Sequence, residues 1–367
     1  MSDIQCSNCK SPYPESGVPY RCTTCGGTYD HASLPNLNPN LLDNTSLMNG
    51  MWRYRYTFML PEHAPQIYLG EGNTPLIWKD FNGVEVGFKL EYLNPTGSFK
   101  DRGTALLVSF LKSRDVESTV EDSSGNAGAS LAAYAAYAGI KARVFVPDYA
   151  SGPKRAQIES YAADITRVLG PRSNATEAVL RTVEQGVVYA SHAFMPHGLL
   201  GYATVAYELY EQIGKAPGTV IVPAGQGSFI LGLGRGFQIL QQAGEIDRIP
   251  KLVGVQARAC APLWAVFTYG VGGIGWVDEG QTLAEGVRIK HPLRGDTILQ
   301  LISEVDGMFV VVDEEEIIAG QDQLARMGFY VEPTSAIVWS AMSQLKGSVP
   351  EPVVLILTGT GLKAYGD

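Results

Sequence analysis

Short runs of β-branched and apolar residues, each followed by a helical stretch, recur along most of this 367-residue chain and limit what it can fold into. Residues 84–90, 119–121, 143–146, 165–169, 186–189, 219–222, 251–256, 308–312 and 353–357 read as strands. Helical patterns lie between them, among them the apolar run 105–111 and the alanine-rich run 129–138. A strand that leads through a helix into the next strand pairs in parallel, and a parallel sheet needs cover on both faces. The expected class is therefore α/β. A chain of this length can bury a large core and divide into two domains.

One stretch stands out chemically. Asn94-Pro95-Thr96-Gly97-Ser98-Phe99-Lys100-Asp101-Arg102-Gly103 reads as a turn feeding a helix. Pro95 and Gly97 break regular structure, and Ser98 is placed to cap the helix. Lys100 falls in the first helical turn, where orphan N–H groups and the positive dipole end disfavour a cation. That setting favours the neutral amine that a Schiff base with an aldehyde requires. A solvated lysine at a helix start is the alternative for Lys100 taken alone.

Other loops have the composition of anion sites. Ser123-Ser124-Gly125-Asn126 sits between a strand and the alanine-rich helix, with Ala127, Gly128 and Ala129 behind it permitting close approach of backbone. An Asx-type turn with Gly125 in the left-handed region is the other reading. Gly225-Gln226-Gly227-Ser228-Phe229 follows a strand and opens a glycine-containing helix, so its amides suit a phosphate. A dinucleotide fingerprint is less well matched, because Ile230 stands where its third glycine would be.

The Lys100 stretch resembles the lysine motif of pyridoxal-phosphate (PLP) enzymes of fold type II, and threonine synthase most of all. The similarity continues through Glu71-Gly72-Asn73-Thr74-Pro75-Leu76, the 123–126 and 225–228 loops, Glu332-Pro333-Thr334-Ser335-Ala336 and Thr358-Gly359-Thr360-Gly361-Leu362-Lys363. Order and spacing agree from about residue 70 onward. The resemblance implies two parallel-sheet domains of the tryptophan synthase β-like architecture. It implies that Lys100 holds PLP, gives it up to the substrate amine and then shuttles protons. Asn126 would meet the ring hydroxyl, Gly225, Gln226, Gly227, Ser228 and Phe229 the phosphate, and Thr358 the ring nitrogen. Ser123, Ser124, Gly125, Asn126, Ala127 and His197 would contact the substrate. A hydroxyl at the ring nitrogen leaves it largely neutral, which suits elimination and replacement at the β or γ carbon.

The amino terminus carries a separate signal. Cys6-x-x-Cys9 and Cys22-x-x-Cys25, with twelve residues between the pairs, have zinc-ribbon spacing. Gly26-Gly27 allows a tight turn behind the second pair. A segment this short lacks its own core, so a structural zinc would supply folding energy. A redox role needs only one pair, and a nucleic-acid role needs more cations than Lys10 and Arg21. The organisation expected is a ribbon at 1–32, a larger PLP-binding domain from 33–95 and 191–367, and a smaller domain at 96–190 carrying Lys100 and the carboxylate turn.

Composition narrows the partners. With 28 basic and 37 acidic residues the net charge is −9, which argues against nucleic acid or an anionic membrane as partner. No apolar run has transmembrane length and Met1-Ser2-Asp3 begins no signal peptide, so a cytoplasmic protein is expected. The resemblance implies a homodimer acting on a small amino acid. Residues 33–50 read as a polar connector. The aromatic-rich run 51–60 reads as a segment packed on the catalytic body.

Two departures bear on the substrate. Threonine synthases hold the phosphate of O-phosphohomoserine with an arginine in an Asn-Pro-aromatic-Arg stretch. The corresponding stretch here is Phe194-Met195-Pro196-His197-Gly198-Leu199-Leu200-Gly201, which puts Gly198 in that place. Ser124 and Ala127 also lean toward the serine/threonine dehydratase pattern. A dehydratase-like ammonia-lyase or β-replacement enzyme is thus the alternative, and a non-catalytic PLP-binding protein is the alternative of another class.

Overall fold

A computed structural model describes residues 4–38, 47–81, 83–148, 152–170 and 172–364. Part of the expected polar connector, residues 39–46, lies outside that set, as do Met1, Ser2 and Asp3. Contacts divide the chain into two compact units: residues up to 72 with 100–201, and residues 73–99 with 202–364.

The first unit opens with an antiparallel hairpin of β1 (Ile4–Cys6) and β2 (Tyr29–His31). Its parallel sheet has the order β7-β6-β5-β8, built from β5 (Ser118–Glu121), β6 (Lys141–Pro147), β7 (Asp164–Val168) and β8 (Val188–Tyr189). Helices α1 (Lys100–Ser113), α2 (Asn126–Ala138), α3 (Pro153–Ser160) and α4 (Arg172–Glu184) belong to it, and α5 (Leu199–Ile213) begins in it. Alanines let α2 lie close to α1, where Ser130 Oγ donates to Asp101 Oδ1 at 2.6 Å. The aromatic run is a 3-10 segment, Leu47–Thr57, with Trp52 and Tyr54 buried. Trp52 Nε1 and Tyr134 Oη both donate to the buried Glu71 carboxylate, at 2.8 and 2.7 Å. Burial pushes the Glu71 carboxyl above its ordinary range, and those donors together with the Leu69 N–H oppose the shift.

The second unit holds a six-stranded sheet of order β11-β10-β9-β12-β4-β3. Its strands are β3 (Leu76–Phe81), β4 (Val84–Lys89), β9 (Thr219–Pro223), β10 (Lys251–Ala257), β11 (Met308–Val312) and β12 (Val353–Ile356). All pair in parallel except the edge strand β3, which runs antiparallel to β4. Helices α6 (Ser228–Gln242), α7 (Pro262–Tyr269), α8 (Gly295–Glu304), α9 (Glu314–Arg326) and α10 (Pro333–Leu345) complete it. Strands β9 and β12 are buried throughout, as the inner strands of a doubly covered sheet should be. Strand β3 is absent from the strands expected above. Its residues are exposed or half-buried, so it lacks the apolar run that marks the inner strands. Among the described residues no helix is long and apolar enough to cross a membrane.

A buried ion pair ties strand to helix here. Lys89 Nζ lies 2.7 Å from Glu208 Oε2, with side chains 0% and 1% exposed. The ammonium also donates to Thr74 O at 2.7 Å and Gln212 Oε1 at 3.0 Å, while Glu208 Oε1 accepts from the Asn73 N–H. Such a pair contributes little net stability, yet removing one partner strands a buried charge. Lys89→Met is therefore expected to lower unfolding free energy by about 3–5 kcal/mol in urea titrations. Adding Glu208→Leu should restore most of that loss.

Candidate functional site

Parallel strands collect functional loops at their carboxyl ends. In the first unit β5 ends at Glu121, and the 123–126 turn carries the chain into α2. Ser123 Oγ accepts from the Gly125 N–H at 3.3 Å. Gly125 has φ −99°, extended and not left-handed, so the turn is a serine turn and its glycine is not demanded by conformation. Gly128 is demanded: a Cβ there would stand 1.9 Å from Ser123 O. Asn126 and Ala127 open α2, whose first-turn amides have no acceptor within the helix. Ser124, Gly125 and Asn126 are half-buried, while Ser123 and Ala127 are buried.

Lys100 is the first residue of α1 and is half-buried. Ser98 therefore lies one position ahead of the cap, and its backbone instead bridges Gly359. His197 is placed elsewhere. Its ring stacks on Phe110 at 3.6 Å and meets Tyr13 edge-on at 5.4 Å, beside the ribbon hairpin. Phe110 lies ten residues after Lys100 in α1, roughly 15 Å along the helix. Next to it, Gly198 packs on α1 so closely that a Cβ would stand 3.1 Å from Gly103 O. Gly201 is tighter still, with Arg102 O at 2.1 Å from its would-be Cβ.

The second unit brings four of the sequence motifs together. The Phe99 N–H donates to Thr358 O at 3.0 Å, and the residue after Phe99 is Lys100. The Thr358 N–H donates to Ser335 Oγ at 2.8 Å, so the Glu332–Ala336 motif holds the end of β12. The Thr358 hydroxyl, in a side chain 2% exposed, has no hydrogen-bond partner among the described residues. Thr360 has its own use: its hydroxyl accepts from the Leu362 N–H at 3.3 Å.

The loop after β9 completes this group. The ring of Phe229 lies 4.5 Å from that of Phe99. Gly225 presses on the 286–287 backbone, 2.6 Å from Gly286 O to a would-be Cβ, and the Gly286 N–H donates to Thr334 Oγ1 at 3.0 Å. Gly227, with φ +74°, caps α6 without any side-chain cap, and Ser228 is buried in its first turn. Gln226 Oε1 accepts from the Leu293 N–H at 3.2 Å, which makes it a loop brace. An uncapped helix start of fifteen residues, walled by glycine, fits a phosphate. A buried hydroxyl lacking a protein partner fits a ring nitrogen. Sequence reasoning did not assign Ser335 or Phe99, although both stand within the quoted motifs.

The four cysteines cluster as their spacing requires. Their sulfurs all lie within 4.8 Å of one another, with Cys6–Cys25 at 3.5 Å and Cys9–Cys22 at 3.6 Å. A tetrahedral site with metal–sulfur bonds of about 2.3 Å has edges of about 3.8 Å. Gly27 is needed there, since a Cβ would stand 2.9 Å from Cys6 Sγ. Cys260 is buried apart from this cluster.

Comparison with known proteins agrees with this geometry. Residues 67–359 match the family model described as pyridoxal-phosphate dependent enzyme. Threonine synthase of Methanocaldococcus jannaschii is 33% identical over 377 residues, covering 98% of this chain and 92% of the relative. The crystal structure of a T.th. threonine deaminase superposes with a TM-score of 0.67 at 27% identity, covering 80% of this chain and 94% of that one. Maize serine racemase shares the fold, with a TM-score of 0.68 at 22% identity over 78% of this chain and 88% of the other. Fold, motif order and relatives together make this chain a member of the pyridoxal-phosphate-dependent enzymes, of the threonine synthase-like kind.

Proposed function

We propose that this enzyme eliminates or replaces a group at the β or γ carbon of an amino acid, with Lys100 as the covalent anchor for PLP. The observation that carries the reading is the buried, partnerless Thr358 hydroxyl, one backbone hydrogen bond from the residue before Lys100. PLP, when bound, supplies the electron sink for cleavage at the substrate's α carbon. Thr358 Oγ1 would donate to the ring nitrogen, residues 225–229 would hold the phosphate through the amides opening α6, and Asn126 would orient the ring hydroxyl. The amides of turn 123–127 would bind the substrate carboxylate. Lys100 Nζ would anchor the cofactor and serve as the base that moves the α proton.

Gly198 shapes the choice of substrate. Its packing on Gly103 supports the view that no side chain takes the place of the phosphate-binding arginine. A leaving group that is uncharged or small avoids an unpaired anion in the site. The ammonia-lyase reading is favoured by the same feature and by Ser124 and Ala127. His197, packed between Phe110 and Tyr13, braces this segment and is a less direct contributor to specificity. The four cysteines bind one zinc for stability, and the active assembly is a homodimer.

Purified protein is expected to be yellow and to take borohydride label at Lys100. Lys100→Ala should lose the visible band, and a colourless, unlabelled wild type supplied with excess PLP would sink the cofactor assignment. Release of phosphate, ammonia and 2-oxo acid from a panel of amino acids tests the substrate. Serine, threonine or derivatives with uncharged leaving groups should exceed O-phosphohomoserine by about 100-fold in kcat/KM. Preference for O-phosphohomoserine would mean that another cation has taken over the arginine's work. Metal analysis should find one zinc per chain, and Cys9→Ser should open residues 4–31 to protease while the visible band survives. Metal-free protein from a reducing preparation would refute that role.

A further inference from the structure

Residues 96–99 are tied, one after another, to the segment following β12. The Thr360 N–H donates to Gly97 O at 3.0 Å, Ser98 bridges Gly359, and the Phe99 N–H donates to Thr358 O at 3.0 Å. Those ties are backbone to backbone. The tie at Thr96 is different: its carbonyl accepts from the Lys363 ammonium. Lys363 is buried, an uncommon place for a lysine. A desolvated ammonium persists only with strong acceptors, and a main-chain carbonyl in a fixed turn is one.

The lysine stem has a second contact. Gly97 has φ +83°, a conformation that favours glycine, and the Asn94 O accepts its N–H at 2.8 Å. A Cβ on Gly97 would stand 2.8 Å from Thr360 Cγ2 and 3.2 Å from Lys363 Cε. The Lys363 stem thus lies along Gly97 while its ammonium reaches Thr96. On the far side, the Gly361 N–H donates to Tyr330 O at 2.9 Å and the Glu332 N–H to Gly359 O at 3.1 Å. The 358–363 segment is therefore held by its neighbours, so it can serve as a fixed support for the turn.

We infer that Lys363 is a positioning residue, whose bond to Thr96 sets the turn that delivers Lys100 to the head of α1. This rests on the reading that Lys100 anchors PLP. The short turn between Asn94 and Phe99 decides where α1 begins, and with it the direction of the Lys100 side chain. Loss of the ammonium removes one of the ties on this turn, at the Thr96 carbonyl, and the stem contact at Gly97 loses its anchor.

The test compares wild type with Lys363→Met, which keeps the stem and loses the donor, and Lys363→Arg, which restores a donor. In cofactor-free protein, Lys363→Met should speed hydrogen exchange at the Gly97 and Phe99 amides by about tenfold. Amides within β9 and β10 should keep wild-type rates. With PLP supplied, the visible band should move and PLP binding should weaken by about tenfold, the worth of a charge-assisted hydrogen bond. Lys363→Arg should recover part of both. If Lys363→Met is insoluble, Lys363→Leu, which also lacks a donor, is read the same way. Unchanged exchange and band in the variant, or exchange raised evenly through both sheets, overturns the inference while Lys100 labelling of wild type still stands. Absence of that label in wild type overturns the cofactor reading instead, and this role of Lys363 with it.

Discussion

The backbone pairing of residues 97–99 with 358–360 is the constraint on which the proposed chemistry depends. It joins the end of an inner strand, which the sheet holds rigid, to the residue before Lys100. Strand β12 is buried along its length and pairs with β9 and β4, so its carboxyl end moves little. Anything fixed to that end inherits its precision. The Thr358 carbonyl fixes Phe99, Ser335 fixes the Thr358 amide, and the Phe99 ring is packed on Phe229 of the 225–229 loop. A few hydrogen bonds and one ring contact thus coordinate loops that lie far apart in sequence.

Behind this front lies a second layer of buried polar groups. Lys89, Glu208, Asn73, Thr74 and Gln212 form one network, and Thr74 Oγ1 donates to Glu91 Oε1 at 2.6 Å. Glu91 Oε2 in turn accepts from Asn94 Nδ2 at 3.0 Å, at the start of the lysine-bearing turn. Such networks add little to net stability when complete and cost much when broken. Their effect here is geometric, because each carboxylate oxygen has its donor and each loop has one arrangement that supplies it. Glu71 does the same work in the other unit, holding Trp52 and Tyr134 together.

Glycine sets how closely two elements of the first unit pack. Gly198 and the first turn of α5, through Gly201, lie against the backbone of residues 102–103 in α1. A side chain at 198 would need the neighbouring backbone to give, since the Gly103 oxygen stands 3.1 Å from where Cβ would be.

Much of the fold was legible in sequence because inner parallel strands leave an uninterrupted apolar run, as at 219–222, 308–312 and 353–357. The cysteine cluster was legible for a similar reason: four thiols at fixed local spacing have few other uses. Local signals failed where partners were remote. Strand β3 forms at an edge and shows no inward-facing run, so only its pairing with β4 defines it. Ser98 has a capping residue's chemistry, yet it sits opposite Gly359 in a bridge whose hydrogen bonds its neighbours Gly97 and Phe99 make, one position ahead of the cap. The His197 ring packs on Phe110 and Tyr13, aromatics that only the folded chain brings to it. The same holds for Lys363 and Ser335, whose partners at Thr96 and Thr358 are set by sheet order. Sequence by itself determined the residue types that the chemistry needs and the elements that carry them. The tertiary structure decided which of those side chains meet, because hydrogen bonds and packing between distant segments have no periodicity to read.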